Sequence, residues 1–176
     1  MENASKALMM AASVLLGLMI ISVGVALFNS FSGSSANIMS QIEKAQIAEF
    51  NNQFLKYYGE IREYNEETKK EEVKKIKITA HDVVSLANLA KKNNIEYDVD
   101  DQMQKNENSY YVQITLNKKY QNLEKLQEEL LTKFIQENNM EYTDNGELVT
   151  KYYYIVNAEV SKVTKRVIYL EIDEMK

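Results

Sequence analysis

The chain has 176 residues, with 21 Lys and Arg against 26 Asp and Glu, one His and no Cys, Pro or Trp. The absence of Cys excludes a disulfide framework, thiolate chemistry and Cys-based zinc or Fe–S sites, and a single His excludes a multi-His metal centre. A net charge of −5 argues against a nucleic-acid binder, whose footprint is basic.

Residues 1–6 form a short N-terminal head in which Glu2 offsets Lys6. Residues 7–28, ALMMAASVLLGLMIISVGVALF, carry no ionisable group. At about 1.5 Å per residue a helix of that length spans about 33 Å, enough for a hydrocarbon core of about 30 Å. The run therefore predicts a transmembrane helix in contact with the lipid bilayer. Ser13, Gly17 and Gly24 fall on one face of it, and small residues on one stripe let a second helix approach closely. They are the expected helix-packing residues, for self-association or for a protein partner. A cleaved signal is the competing reading, because Ser34 and Ala36 fit a small-x-small rule. The apolar run exceeds the usual 7–15 residues of a signal core, which favours an uncleaved anchor. Lys6 precedes the run, and the first positive charge after it is Lys44. This asymmetry predicts a cell-membrane, single-pass topology with a cytoplasmic N-terminus and the C-terminal domain outside.

Residues 29–37, NSFSGSSAN, read as a flexible collar. Residues 38–58 read as an amphipathic helix, with Ile47, Phe50, Phe54 and Tyr57 on one stripe and Gly59 as its stop. The remaining residues, 59–176, read as an exported α+β domain. Residues 60–75 alternate in charge and suggest a solvated linker or a helix extension. Ile76 and Ile78 flank Lys77 as a short strand, and Thr79 with Asp82 has a capping-box spacing that opens a helix ended by Asn93 and Asn94. Ile95–Val99 and Tyr110–Leu116 follow as strands, then residues 119–138 as an amphipathic helix. Asn145-Gly146 marks a tight turn between a strand near Met140–Thr143 and a long one near Leu148–Val160. In the long strand Tyr152, Tyr154, Val156, Ala158 and Val160 share a face, and in the last strand Ile168, Leu170 and Ile172 do.

Little in this pattern points to catalysis. His81 adjoins Asp82 and precedes Ser85, but adjacent helical residues do not face each other and no Gly-rich elbow offers an oxyanion site. The stretch DVDDQMQKNE has a calcium-loop flavour but lacks the Gly at its bend. We therefore expect no catalytic residue, no metal, no cofactor and no small-molecule substrate. Twelve Tyr, several in clusters, fit either a protein interface or the β-propensity of a half-buried strand. On the interface reading Tyr111 and Tyr153 are the expected partner contacts, because each lies opposite the core-facing set of its strand.

Lys supplies 19 of the 21 basic residues, a bias that matches an AT-rich coding genome. The head MENASKAL and its apolar run, QIAEFNNQFLKYYG and ITAHDVVSLANLAKKNN resemble a family of uncharacterised small single-pass membrane proteins of AT-rich Gram-positive bacteria. The resemblance covers residues 1–95 and implies topology without activity. In architecture the chain is similar to type IV pilins and pseudopilins, whose apolar helix runs into an amphipathic half that packs on an antiparallel sheet. Their processing signature places Glu five residues after a Gly, whereas Ser22 follows Gly17 and Asn29 follows Gly24 at that distance. The expected fold is thus α+β: a transmembrane helix continuing into an amphipathic helix, then antiparallel strands with two further helices, in a pilin-like layout. The expected role is structural or scaffolding, through an extracytoplasmic interaction domain in a cell-envelope or secretion-type assembly. A pilin-like subunit that polymerises through its N-terminal helix and a membrane-tethered envelope enzyme are the alternatives.

Overall fold

The computed structural model describes residues 2–175 and is α+β. Helix α1 runs over Glu2–Leu55. Strands β1 (Glu60–Asn65) and β2 (Lys70–Lys75) follow, then helix α2 (Ala80–Glu96), strand β3 (Gln113–Leu116) and helix α3 (Glu128–Asn138). Strands β4 (Met140–Tyr142), β5 (Leu148–Thr150), β6 (Tyr153–Val160) and β7 (Val167–Glu174) close the chain. The chain divides into two units, Met1–Gln46 and Ile47–Lys176.

The first unit is helical throughout its described residues, including 29–37, so the expected flexible collar is corrected to helix. Six Ser and Asn residues with one Gly weaken a helix but do not break it without a Pro. Ser13 donates its hydroxyl to the Met9 and Met10 carbonyls, and Ser22 donates to Leu18. These bonds satisfy the hydroxyls inside an apolar run. Apart from Gly17 and Ser35, the described residues up to 46 are exposed. Among the described residues, α1 is the one helix long and apolar enough to cross a membrane, and none of its apolar window is buried.

In the second unit the last turns of α1 supply Phe54, which is fully buried, with Phe50 and Tyr57 packed beside it. Helix α1 ends at Leu55 rather than at 58, and Gly59 takes φ +144°. Residues 60–75 are corrected from a linker to an antiparallel β1–β2 hairpin. Its register sets Lys75 opposite Glu60, 3.8 Å apart, while Lys74 reaches diagonally to Glu63 at 2.9 Å, so part of the charge run becomes cross-strand ion pairs. Asn65 Oδ1 accepts from the Glu67 and Thr68 amides and shapes the turn.

The main sheet has the order β3-β7-β6, with β3 parallel and β6 antiparallel to β7. The expected all-antiparallel arrangement is therefore corrected to a mixed sheet. Ile114, Leu116, Ile155, Leu170 and Ile172 face a core shared with Val83, Leu86, Ala87 and Ala90 of α2 and Leu131 and Phe134 of α3. Helix α2 carries the full capping box: Thr79 Oγ1 accepts from the Asp82 amide while Asp82 Oδ2 accepts from the Thr79 amide. The expected helix over 119–138 splits into a 3-10 turn at Leu123–Lys125 and α3, because Leu126 between them is extended. Asn145-Gly146 closes the small β4–β5 hairpin, with Gly146 at φ +80°. The long strand expected over Leu148–Val160 is divided between two sheets, β5 in one and β6 in the other.

Strand β7 begins before β3 is there to pair with it. Asn51 of α1 fills that gap, donating Nδ2 to the Lys165 carbonyl and accepting at Oδ1 from the Val167 amide, both at 2.8 Å. Asn51→Ala removes both bonds, worth about 2 kcal/mol together. It should lower the Tm of the full chain in micelles by about 4–8 °C, followed by near-UV circular dichroism of the tyrosines.

Candidate functional site

Two groups of residues could carry function: the open face of α1 and a set of polar side chains buried in the second unit. On α1, Ser13, Gly17 and Gly24 lie on one stripe, and a Cβ added at either glycine would meet nothing within 4 Å. Beyond residue 28 the helix continues to display apolar side chains, with Phe31, Ile38, Met39 and Ile42 all about half exposed or more. At about 1.5 Å per residue, Ile38 stands about 15 Å past Phe28, the end of the apolar run.

The buried polar set begins with Arg166. Its guanidinium donates to Asn93 Oδ1 at 2.7 Å and to the Tyr97 hydroxyl at 3.1 Å. It lies 3.7 Å from the Phe50 ring centroid, 4.7 Å from that of Tyr97 and 5.3 Å from that of Tyr110. Tyr97 and Tyr110 stack on each other at 4.5 Å. Among the described residues no carboxylate pairs with this guanidinium, and its Nε is buried without a partner. Ring faces take the place of a counter-ion. Asn93 also donates to the Tyr110 carbonyl. Asn94 binds Val112 twice, donating to its carbonyl at 3.0 Å and accepting from its amide at 2.8 Å. The expectation that Asn93 and Asn94 end the helix is thus corrected: α2 continues to Glu96, and both carboxamides point inward.

Glu124 is the second buried ionisable group, 1% exposed. Its Oε1 accepts from the Tyr111 hydroxyl at 2.6 Å and its Oε2 from the Ile114 amide at 2.9 Å. Burial pushes its pKa above the ordinary carboxylate value, against the opposing pull of those two donors. Tyr111 is pushed up as well, by burial and by the neighbouring carboxylate. Asp82 goes the other way. Burial pulls it upward, but bonds from the Thr79 amide and hydroxyl and from the Tyr57 hydroxyl hold it below its ordinary value.

These positions correct the expected partner contacts. Tyr111 and Tyr153 are among the largest fully buried side chains. Regular alternation in β3 starts only at Gln113, so Tyr111 turns inward to Glu124 although Val112 is buried too. In β6 the register shifts between Ile155 and Asn157. Tyr153 and Ile155 face the core ahead of that irregularity, and Tyr152, Tyr154 and Val156 form the outer side. The Tyr153 hydroxyl donates to the Asn138 carbonyl, and burial raises its pKa. His81 is exposed, and the Ser85 hydroxyl donates to the His81 carbonyl instead of the imidazole. Among the described residues no three His, Asp or Glu side chains are placed to hold a metal.

Sequence reasoning passed over Glu124 and Arg166. Glu124 sat in an assumed helix as one polar residue among several. Arg166 is one of only two Arg in a Lys-rich chain and directly precedes an apolar strand, which was the available signal. No protein-family model matches the chain, and no match was found among curated proteins or solved structures.

The pH dependence of Glu124 has a definite sign. A carboxyl whose folded pKa lies above its unfolded value stabilises the fold most at low pH, and this contribution is lost as pH rises through the folded pKa. Glu124→Gln abolishes that titration. Between pH 7 and pH 5 the Tm of the natural chain should therefore rise relative to that of Glu124→Gln. Thermal melts of the two proteins at both pH values check this.

Proposed function

We propose that the chain is a single-pass membrane protein of structural or scaffolding role, in which residues 7–28 cross the bilayer and the α+β unit acts outside the cytoplasm. The observation that carries this is a charge-free helical run of bilayer length whose apolar side chains are left uncovered by the protein itself. A core helix of that length would be buried. The α+β unit supports a role in contact rather than catalysis, because its titratable buried groups, Glu124, Tyr111 and Tyr153, are spent on holding the fold. Lys6 before the run, with no positive charge after it until Lys44, favours a cytoplasmic N-terminus.

A pilin-like subunit, assembling through α1, is the second reading. It is favoured by the unbroken helix through 29–37 and by exposed Phe31, Ile38 and Ile42 beyond the span. These side chains need a protein cover that the bilayer does not give, and the Ser13, Gly17 and Gly24 stripe supplies a close-approach face within the bilayer.

Protease added to intact cells should remove the α+β unit and leave a protected N-terminal fragment whose mass retains residues 1–28. A domain that resists the protease in intact cells but not in lysed ones overturns the topology. Because the chain has no Cys, single substitutions report helix contacts cleanly. Oxidised membranes should yield a disulfide dimer from Gly17→Cys, Gly24→Cys and Ile38→Cys and none from Leu15→Cys or Ser40→Cys. Equal yields at all five positions would sink self-association through this face.

A further inference from the structure

The outward face of the main sheet carries a polar groove of about 650 Å³, within the size range of small-molecule sites. Its floor is Gln113 and Thr115 of β3 beside Tyr169 and Glu171 of β7, set in register by the parallel β3–β7 ladder. Its walls are the loop segments 103–105 and 118–122. Gln113 ties the two walls together, accepting at Oε1 from the Lys105 amide at 3.1 Å and donating Nε2 to the Gln121 carbonyl at 2.9 Å. Thr115 and the Tyr169 hydroxyl bond each other at 2.9 Å. The groove is therefore preformed on a sheet face whose shape does not depend on a ligand.

Its chemistry narrows the ligand. Lys105 lies over the Tyr169 ring and pairs with Glu159, so its charge is already neutralised. That leaves Lys118 and Glu171, one charge of each sign, with the Gln104 and Gln121 carboxamides. Among the described residues these four side chains meet no hydrogen-bond or ion-pair partner within the protein. A phosphate or an acidic polymer needs a surplus of positive charge, which is missing. A peptide adding to the sheet needs a free strand edge, whereas the floor here is a face, and its backbone groups belong to the β3-β7-β6 ladders. Carboxamides offer a donor and an acceptor together, and a carboxylate offers two acceptor oxygens. Such groups suit adjacent hydroxyls, which themselves both donate and accept.

From this lining we propose that the groove binds a neutral, hydroxyl-rich saccharide chain, with Glu171, Gln104 and Gln121 bonding its hydroxyls. The site lies wholly within Ile47–Lys176 and does not rest on the membrane topology.

The test uses the full chain, ¹⁵N-labelled, in phosphocholine micelles, which have no sugar head group to compete. Tetra-N-acetylchitotetraose, cellotetraose and maltotetraose are titrated in turn. At least one should move the amides of 104–105, 113–115, 118–122 and 169–171 saturably, with a Kd of about 1 mM. Glu171→Gln and Gln121→Ala should each weaken that Kd about tenfold with the near-UV circular dichroism unchanged, while Lys92→Gln leaves it unaltered. Three results overturn the proposal: no saccharide saturates, the saturating shifts fall outside the groove, or inorganic phosphate at equal concentration moves the same amides.

Discussion

Along β7 the chain must satisfy backbone groups on both sides, and near its start only one side has a strand. The Arg166 carbonyl accepts from the Ser161 amide across the turn to β6. Lys165 and Val167, one residue either way, therefore face the opposite side, where β3 begins its pairing only at Tyr169. Asn51 closes that gap with one donor and one acceptor, as a neighbouring strand would. Buried or half-buried backbone groups left unpaired would cost the full desolvation penalty, about 1–3 kcal/mol each. One carboxamide thus lets the sheet continue under a helix, and it fixes which turn of α1 lies over β7. Phe50 and Phe54 then fall onto the guanidinium of Arg166 and into the core.

The same device recurs at Asn94, which bonds both the amide and the carbonyl of Val112. Residues 110–112 run up to β3 without a ladder of their own. Asn94 gives Val112 the donor and acceptor that a strand would have supplied, and just inside β3 the Glu124 carboxylate takes the Ile114 amide. Arg166 links the two asparagine sites, because it donates to Asn93 and lies on the Phe50 ring one residue from Asn51. A buried cation without a carboxylate is costly. Three ring faces and two charge-assisted bonds offset that cost, and losing any one leaves the charge less covered.

The parts of this fold that were legible in the sequence are those set by hydrophobic period and local turn chemistry. The apolar run at 7–28, the capping box at Thr79 and Asp82, the Asn145-Gly146 turn and the core pair Leu170 and Ile172 each depend on residues close in sequence. The β1–β2 hairpin was hidden because its strands are held by paired charges, and a charge run looks the same in a linker. Tyr111 and Tyr153 were placed on the wrong side because alternation was counted through positions where the chain is not in regular strand. The counting fails at 110–112, ahead of β3, and at the irregularity after Ile155. The helix expected over 119–138 is divided at the extended Leu126, and Glu124 ahead of that break bonds the Tyr111 hydroxyl and the Ile114 amide, contacts that no helical period encodes.

Long-range polar bonding also accounts for how this domain holds together without cross-links. Small domains outside the cytoplasm commonly rely on disulfides to offset chain entropy, and on the topology proposed above this one has none to use. Its segments are joined instead by side chains that reach across more than a hundred residues, as Asn51 does to Lys165 and Val167, or across seventy, as Arg166 does to Asn93. Each such bond closes a long loop in the folded state, but it leaves the unfolded chain unconstrained, whereas a disulfide acts mainly there. The fold is therefore specified by mutual satisfaction of a few buried groups. Glu124 is the point where that specification meets solution conditions, since its ionised form gains two hydrogen bonds and loses its hydration.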